Sequence, residues 1–277
     1  MLLTLSWILT AALLLTGCYL FLIAPNVRKR KLRCPALIGH AYAHRGLHDE
    51  KGGIPENSLP AFRRAIIRGY GIELDVHLTR DGKLVVFHDQ SLQRMCRDER
   101  DICDLSLEEI RALTLGETKE KIPTLDEVLS LVDGRAPLII ELKSDGKWGD
   151  CALPAALHER MQAYSGPYCV ESFDPMMLRW YKKHAPQVIR GQLAFDQRVI
   201  KGEYRHVIMF AASHLLFNCL SRPDFVAYQY QCQKNLSFRV QRALFRPMLA
   251  AWTVRSKEDY QALQSQFDLQ IFEAFEP

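Results

Sequence analysis

The 277 residues, 48% hydrophobic and 25% charged, have the composition of a folded globular chain, which excludes disorder. The net charge of +4 does not point to nucleic acid: much of the excess sits in Arg28-Lys29-Arg30-Lys31-Leu32-Arg33, and no zinc-ligand spacing or recognition-helix pattern accompanies it. The eight cysteines are scattered without paired spacing, which fits reduced thiols.

The chain opens on residues 1–24, which carry no Asp, Glu, Lys, Arg or His. As a helix, at 1.5 Å per residue, this stretch spans a bilayer core of roughly 30 Å. The fragment Leu15-Thr16-Gly17-Cys18 resembles a bacterial lipobox, and a lipoprotein anchored at Cys18 is the alternative. Against it, no positive charge precedes the apolar stretch, and Tyr19-Leu20-Phe21-Leu22-Ile23 continues it past the cleavage point. The reading is a single-pass transmembrane helix over residues 1–24, followed by a basic juxtamembrane linker over 25–36. Basic residues follow the span and none precedes it, so the positive-inside rule puts the rest of the chain in the cytoplasm.

From residue 37 to 277, short β-rich runs alternate with amphipathic ones. Strands are predicted at 37–44, 71–77, 138–143, 168–172, 188–194, 225–229, 250–254 and 269–275. Helices are predicted at 58–68, 124–132, 175–184 and 257–267. Such alternation implies parallel strands joined by crossover helices. Eight runs in one unbroken α/β domain suit a TIM-type (β/α)8 barrel of the usual ~250 residues; an open doubly wound sheet shares the pattern. Asp81-Gly82 marks a tight turn that folds 84–89 back as a small β insertion at the barrel's mouth.

Chemistry gathers at the ends of these runs. In Ile72-Glu73-Leu74-Asp75-Val76 the carboxylates stand two apart, on one face of a strand, with aliphatics on the other. Paired carboxylates on a buried strand repel and lose solvation, and a hard cation relieves both problems. A solvent-facing pair on an edge strand is the plainer alternative. Glu141 and Lys143 share a face at the end of the next apolar run, where barrel enzymes keep their active residues; a self-contained ion pair is the other reading. His44, with Arg45 and Gly46, closes the first run, and His88, with Asp89, closes 84–87. The set contains a metal site, a cationic phosphate clamp and an acid–base pair, the parts that hydrolysis of a phosphodiester requires.

His44-Arg45-Gly46, Pro55-Glu56-Asn57-Ser58, Glu73-x-Asp75-Val76, Thr79-x-Asp81-Gly82, His88-Asp89, Ile122-Pro123-Thr124-Leu125-Asp126-Glu127 and Glu141-Leu142-Lys143 follow one another across residues 43–143. In order and approximate spacing this series resembles the glycerophosphodiester phosphodiesterase family. Thinner matches continue at Glu171-Ser172-Phe173 and Ala251-Trp252-Thr253-Val254. The resemblance implies a TIM-type barrel that cleaves glycerophosphodiesters to glycerol 3-phosphate and an alcohol. It implies His44 and His88 as acid and base, in an order it leaves open. Glu73, Asp75 and Glu141 would hold one divalent cation, Ca2+ or Mg2+, and Arg45 and Lys143 would contact the phosphate. Glu56 belongs to the family's loop over the site, where Asn57 or Ser58 would cap the following helix. Trp252 matches an aromatic near the pocket or else belongs to the barrel core.

The end of the chain departs from the family. Where Gly-Ile-Ile-Thr-Asp-x-Pro is usual, the sequence reads Leu269-Gln270-Ile271-Phe272-Glu273-Ala274-Phe275-Glu276-Pro277. The departure is expected to change the cover of the last strand and the glycerol end of the pocket, and to leave the catalytic set untouched. Three further readings stand beside the hydrolase: a lysophospholipase D-like enzyme acting on membrane lipids, a non-catalytic membrane-tethered glycerophosphodiester-binding protein, and a scaffold for other membrane proteins.

Overall fold

The structure, a computed structural model, describes residues 2–26, 35–145, 149–196 and 206–277. The basic run 28–33, and with it most of the predicted linker, lies outside the described residues. Nine strands follow in chain order: β1 (Ala41–Ala43), β2 (Gly71–Leu78), β3 (Leu84–Val86), β4 (Leu138–Leu142), β5 (Tyr168–Ser172), β6 (Arg190–Ala194), β7 (Phe225–Gln229), β8 (Met248–Val254) and β9 (Leu269–Phe272). All but β3 are parallel to their neighbours, in the order β1-β9-β8-β7-β6-β5-β4-β2, and the pairing of β1 with β2 closes the barrel. The open-sheet alternative falls with that pairing. β3 runs antiparallel to β2, as the Asp81-Gly82 turn requires.

Two predicted strands are markedly shortened: the run 269–275 is strand only at Leu269–Phe272, with Ala274 at φ 68. The run 37–44 is strand only at Ala41–Ala43, because Gly39 adopts φ 88 and turns the chain. Tyr42 Oη then donates to Leu37 O at 2.6 Å, and Leu37 is buried with the residues that fill the barrel.

Each strand divides its residues between two surroundings, as the two-residue period demands. Ile72, Leu74, Val76, Leu138, Ile140, Leu142 and Val170 face the surrounding helices in one large core. Tyr42, Ile139, Cys169, Phe225, Ala250 and Ile271 fill the interior. Two glycines make that filling possible: a Cβ on Gly71 would stand 2.7 Å from the Tyr42 ring, and one on Gly191 2.1 Å from the Phe225 ring. Further along the same inward faces come Glu73, Asp75, Glu141 and Glu171, all buried. The floor of the barrel is therefore apolar and its mouth ionic.

Local signals fix the helices that surround it. Ser58 caps Leu59–Ile67, Thr124 and Glu127 form a reciprocal capping box on Leu125–Val132, and Asp174 caps Pro175–His184 with proline at its start. Between β2 and β4, Val85, Phe87, Leu92, Ile102, Ile110 and Ile122 build a third, smaller cluster that carries His88 over the mouth. Aromatic rings cover the last strand: Tyr70 and Phe275 lie 4.9 and 5.7 Å from Phe272, and Tyr260 lies 6.1 Å from Phe275. In the N-terminal helix, Leu2–Ile23, residues 3–18 are exposed, and the helix docks on the barrel from Tyr19 onward.

Candidate active site

At the C-terminal ends of the strands lies a cavity of about 220 Å³. His44, Arg45, Glu73, His88, Glu141, Lys143, Glu171 and Trp252 line it. Glu73 and Asp75 point inward together from β2, and Glu141 joins them from β4, where it pairs in register with Asp75. One oxygen of each lies within 4.8 Å of the others. Lys143 Nζ stands 2.8 Å from both Asp75 Oδ1 and Glu141 Oε1. The backbone N–H of Arg45 donates to Glu73 Oε2 at 2.9 Å, and Asn57 Nδ2 donates to Asp75 Oδ2 at 2.8 Å.

The His44-Arg45-Gly46 turn is shaped for this contact. Arg45 sits at φ 54, a region costly for a side-chain-bearing residue, and Asn57, at φ 53, donates its N–H to Arg45 O at 2.9 Å. Gly46, at φ 78, has no room for a side chain: a Cβ would lie 2.9 Å from the Phe62 ring and 3.0 Å from Ala61. Ser58 is the helix cap, so the neighbouring Asn57 is left to hold the Asp75 carboxylate.

Four buried carboxylates, Glu73, Asp75, Glu141 and Glu171, thus face one lysine and one arginine. Burial pushes Glu73 well above the usual carboxylate range, and repulsion from Asp75, Glu141 and Glu171 adds to it. Glu171 is raised well above its usual value by burial and by Glu141 and Asp75. Glu141 is raised by burial, which outweighs the pull of Lys143. Burial alone would raise Asp75 too, but Lys143, His88 and Arg45 hold it below its usual value. A cluster of negative groups that its own cations do not neutralise, offering oxygen donors only, fits a divalent hard cation.

Each histidine is tied through Nδ1 to a carboxylate. His88 Nδ1 lies 2.6 Å from Asp89 Oδ1, and Arg94 Nε donates to the other Asp89 oxygen at 2.6 Å. His44 Nδ1 lies 2.8 Å from Glu273 Oε2, which also accepts from Arg255 Nη2 at 3.1 Å. That pairing corrects the expectation that the altered chain end leaves the catalytic set untouched. The inward alternation of β9, Leu269 then Ile271, carries one step further to Glu273. Burial depresses His44 below its usual value despite the Glu273 hydrogen bond, while that bond holds Glu273 at about 2.

Of the other two predicted residues, Trp252 lines the cavity and Glu56 stands behind Arg45. Glu56 accepts from Arg45 Nη1 at 2.9 Å and from Arg94 Nη2 at 2.5 Å, bracing both guanidiniums. Trp252 serves in both proposed capacities, lining the cavity and packing on the interior cluster. Sequence reasoning passed over His77, which continues the 73–75–77 period and reaches Asp145 through Nδ1 (3.2 Å) and His88 O through Nε2 (3.3 Å). It also passed over Glu171 as a site residue, although Glu171 stands opposite Glu141 in the β4–β5 register.

A parallel barrel with this mouth is the fold and site of a barrel phosphodiesterase. Residues 44–268 match the glycerophosphoryl diester phosphodiesterase family, and the chain belongs to that family. A glycerophosphodiester phosphodiesterase of Caldanaerobacter subterraneus subsp. tengcongensis is 34% identical over 234 residues, which cover 80% of this chain and 88% of that one. Glycerophosphodiester phosphodiesterase 1 of Rattus norvegicus is 31% identical over 70% of this chain and 57% of its own length. Among solved structures, the glycerophosphodiester phosphodiesterase of Thermotoga maritima superposes with a TM-score of 0.64 at 26% identity, covering 84% of this chain and 93% of that one. An Oleispira antarctica phosphodiesterase, solved with sn-glycerol-3-phosphate, shares the fold at a TM-score of 0.66 and 22% identity, covering 85% of this chain and 93% of its own.

Proposed function

We propose that the chain hydrolyses glycerophosphodiesters to glycerol 3-phosphate and an alcohol. The observation that carries this reading is the placing of two histidine–carboxylate pairs and a buried carboxylate triad around one cavity. Glu73, Asp75 and Glu141 are the residues that would hold the cation, with Ca2+ or Mg2+ favoured by their all-oxygen chemistry. When bound, the ion supplies positive charge against the phosphodiester anion and its more highly charged transition state.

The protein's own groups do the rest. Arg45 and Lys143 direct guanidinium and ammonium at the phosphate, and Glu56 and Arg94 keep Arg45 in place. With Nδ1 engaged by Glu273 or Asp89, each histidine has Nε2 left for proton exchange. One accepts the proton of the attacking oxygen; the other donates to the departing alkoxide, and overall one water is consumed. The nucleophile is either the substrate's neighbouring glycerol hydroxyl or water itself. Trp252 and Phe173, edge-on at 5.6 Å, offer an apolar surface to the uncharged part of the substrate.

The helix Leu2–Ile23 is read as a retained single span with the barrel on the cytoplasmic side. Its last turn is built into the fold: Ile23 is fully buried, and Arg222 Nη1 donates to Phe21 O and Ala24 O at 2.8 Å. Turnover of glycerophosphocholine, glycerophosphoethanolamine and glycerophosphoglycerol by the full chain, with and without EDTA, tests the reading. No turnover of any of them with Ca2+ or Mg2+ present would leave the binding-protein alternative standing.

A further inference from the structure

The helix Leu2–Ile23 leaves the barrel on the side of the active-site mouth, and its contacts fix that direction. Tyr19 Oη lies 2.8 Å from Ser237 Oγ, in the first turn of Leu236–Val240. That helix follows β7 and so begins at the mouth. One turn on, Ile23 O accepts from Gln241 Nε2 and from Asn218 Nδ2. Asn26 then donates its N–H to Pro223 O and its side-chain amide to Asp224, both at 2.8 Å, just before β7 begins at the barrel floor. Residues 19–26 therefore run from mouth to floor. Residues 3–18, all exposed, extend roughly 24 Å the other way, past the rim of the mouth.

The rim on this side is apolar. On helix His206–Ser213, Val207 is 81% exposed, Phe210 46% and Ile208 40%, and Leu236 nearby is 62% exposed. The helix carries no acidic residue. Its surface is continuous with the N-terminal helix: Ser237 Oγ joins Tyr19 Oη to His214 Nδ1, and the Phe210 ring lies 4.2 Å from that of His214. Phe173, 5.6 Å from both Phe195 and Trp252, gives the mouth itself an apolar wall. Exposed apolar side chains gathered beside a membrane anchor mark a surface that meets lipid.

We propose that the barrel rests mouth-down on the membrane that residues 3–18 enter, with Val207, Ile208, Phe210 and Leu236 in the lipid interface, and hydrolyses lysophospholipids drawn from the leaflet it faces. The proposal rests on the hydrolase and anchor readings above. A lipid on Cys18 would hold the same side down, since Cys18 adjoins Tyr19. In the reaction, water oxygen bonds to phosphorus, the bond from phosphorus to the head-group alcohol breaks, and that alcohol leaves with a proton, giving lysophosphatidate.

The test uses the full chain in nanodiscs, with a fluorescent acridone amino acid in place of Phe210 or of Ile67, at the floor end of Leu59–Ile67. Brominated lipid is expected to quench the probe at 210 and not at 67. Quenching at 67 alone, or at neither position, overturns the orientation. In the same discs, Val207→Asp combined with Phe210→Asp is expected to cut lysophosphatidylcholine hydrolysis about tenfold and leave soluble glycerophosphocholine within about twofold. Equal losses on both substrates, or no loss on the lipid, overturn the lipid-facing role. Parent protein that hydrolyses glycerophosphocholine but no lysophosphatidylcholine overturns the substrate assignment. Failure on both substrates counts against the hydrolase reading instead, while the quenching still reports the orientation.

Discussion

The mouth has two unlike halves. On the arc from β1 to β4, side chains are locked by charge: Arg45 to Glu56, Glu56 to Arg94, Arg94 to Asp89, Asp89 to His88, and Lys143 to Asp75 and Glu141. Apart from Glu171 and Arg255, the arc from β5 to β8 lines the cavity with uncharged side chains such as Phe173, Leu193, Gln229 and Trp252, and the outer helices after β6 and β7 are short and partly exposed. In the first half each residue answers to several partners, so its identity is narrowly set. In the second, many side chains of similar size would serve. The division to be tested is chemistry on the first arc and substrate choice on the second.

Chelating the proposed ion is the test expected to break the first arc most severely. EDTA is expected to abolish turnover, with Ca2+ or Mg2+ restoring it better than Zn2+; full activity in excess chelator would sink the metal assignment. Next in size is Asn57→Ala, which takes the amide from Asp75 Oδ2. Metal affinity measured by isothermal titration should fall roughly 10- to 100-fold, the usual cost of losing an outer partner. Unchanged affinity would show that Asp75 needs no such support.

Glu273→Gln should cost about tenfold in rate, less than loss of a proton-transfer group, and it carries a signed pH effect. Glu273 raises His44 by hydrogen bond and charge, against burial, so its loss should move the His44-linked limb of the pH–rate profile to lower pH. That sign holds whether His44 is acid or base. A limb displaced upward would contradict the pairing. The same carboxyl, held at about 2 instead of 4.5, contributes stability above pH 4.5 that is lost as pH falls toward 2. The variant should therefore lose less stability than the parent in acid-denaturation curves over that window. Smallest is Trp252→Ala, in the second arc: a several-fold rise in KM with kcat nearly kept is the expected result. A fall in kcat alone would place Trp252 with the chemistry.

Legibility follows the same division. The barrel could be read because its strands are buried apolar runs bounded by strong caps at Ser58, Thr124 and Asp174. The triad could be read because 73 and 75 share a face by strand geometry alone. The short helices His206–Ser213 and Leu236–Val240 escaped because five to eight residues with apolar side chains exposed give no clean amphipathic period. Glu273 escaped for a different reason: its partner lies at the other end of the chain, and only barrel closure brings β9 beside β1. Arg94's link to Glu56 depended likewise on how the insertion folds over the mouth.

Proton transfer by His44 and His88 is the claim that most separates an enzyme from a folded binder. It is tested most directly by comparing His44→Ala and His88→Ala on glycerophosphocholine and on a nitrophenyl phosphodiester, whose leaving group needs no proton. Each variant should lose roughly 10²–10⁴ in turnover of glycerophosphocholine while folding and binding substrate like the parent. One of the two, the variant lacking the acid, should recover on the nitrophenyl ester, and the other should not. Two variants that turn over both substrates at the parent's rate would contradict the assignment.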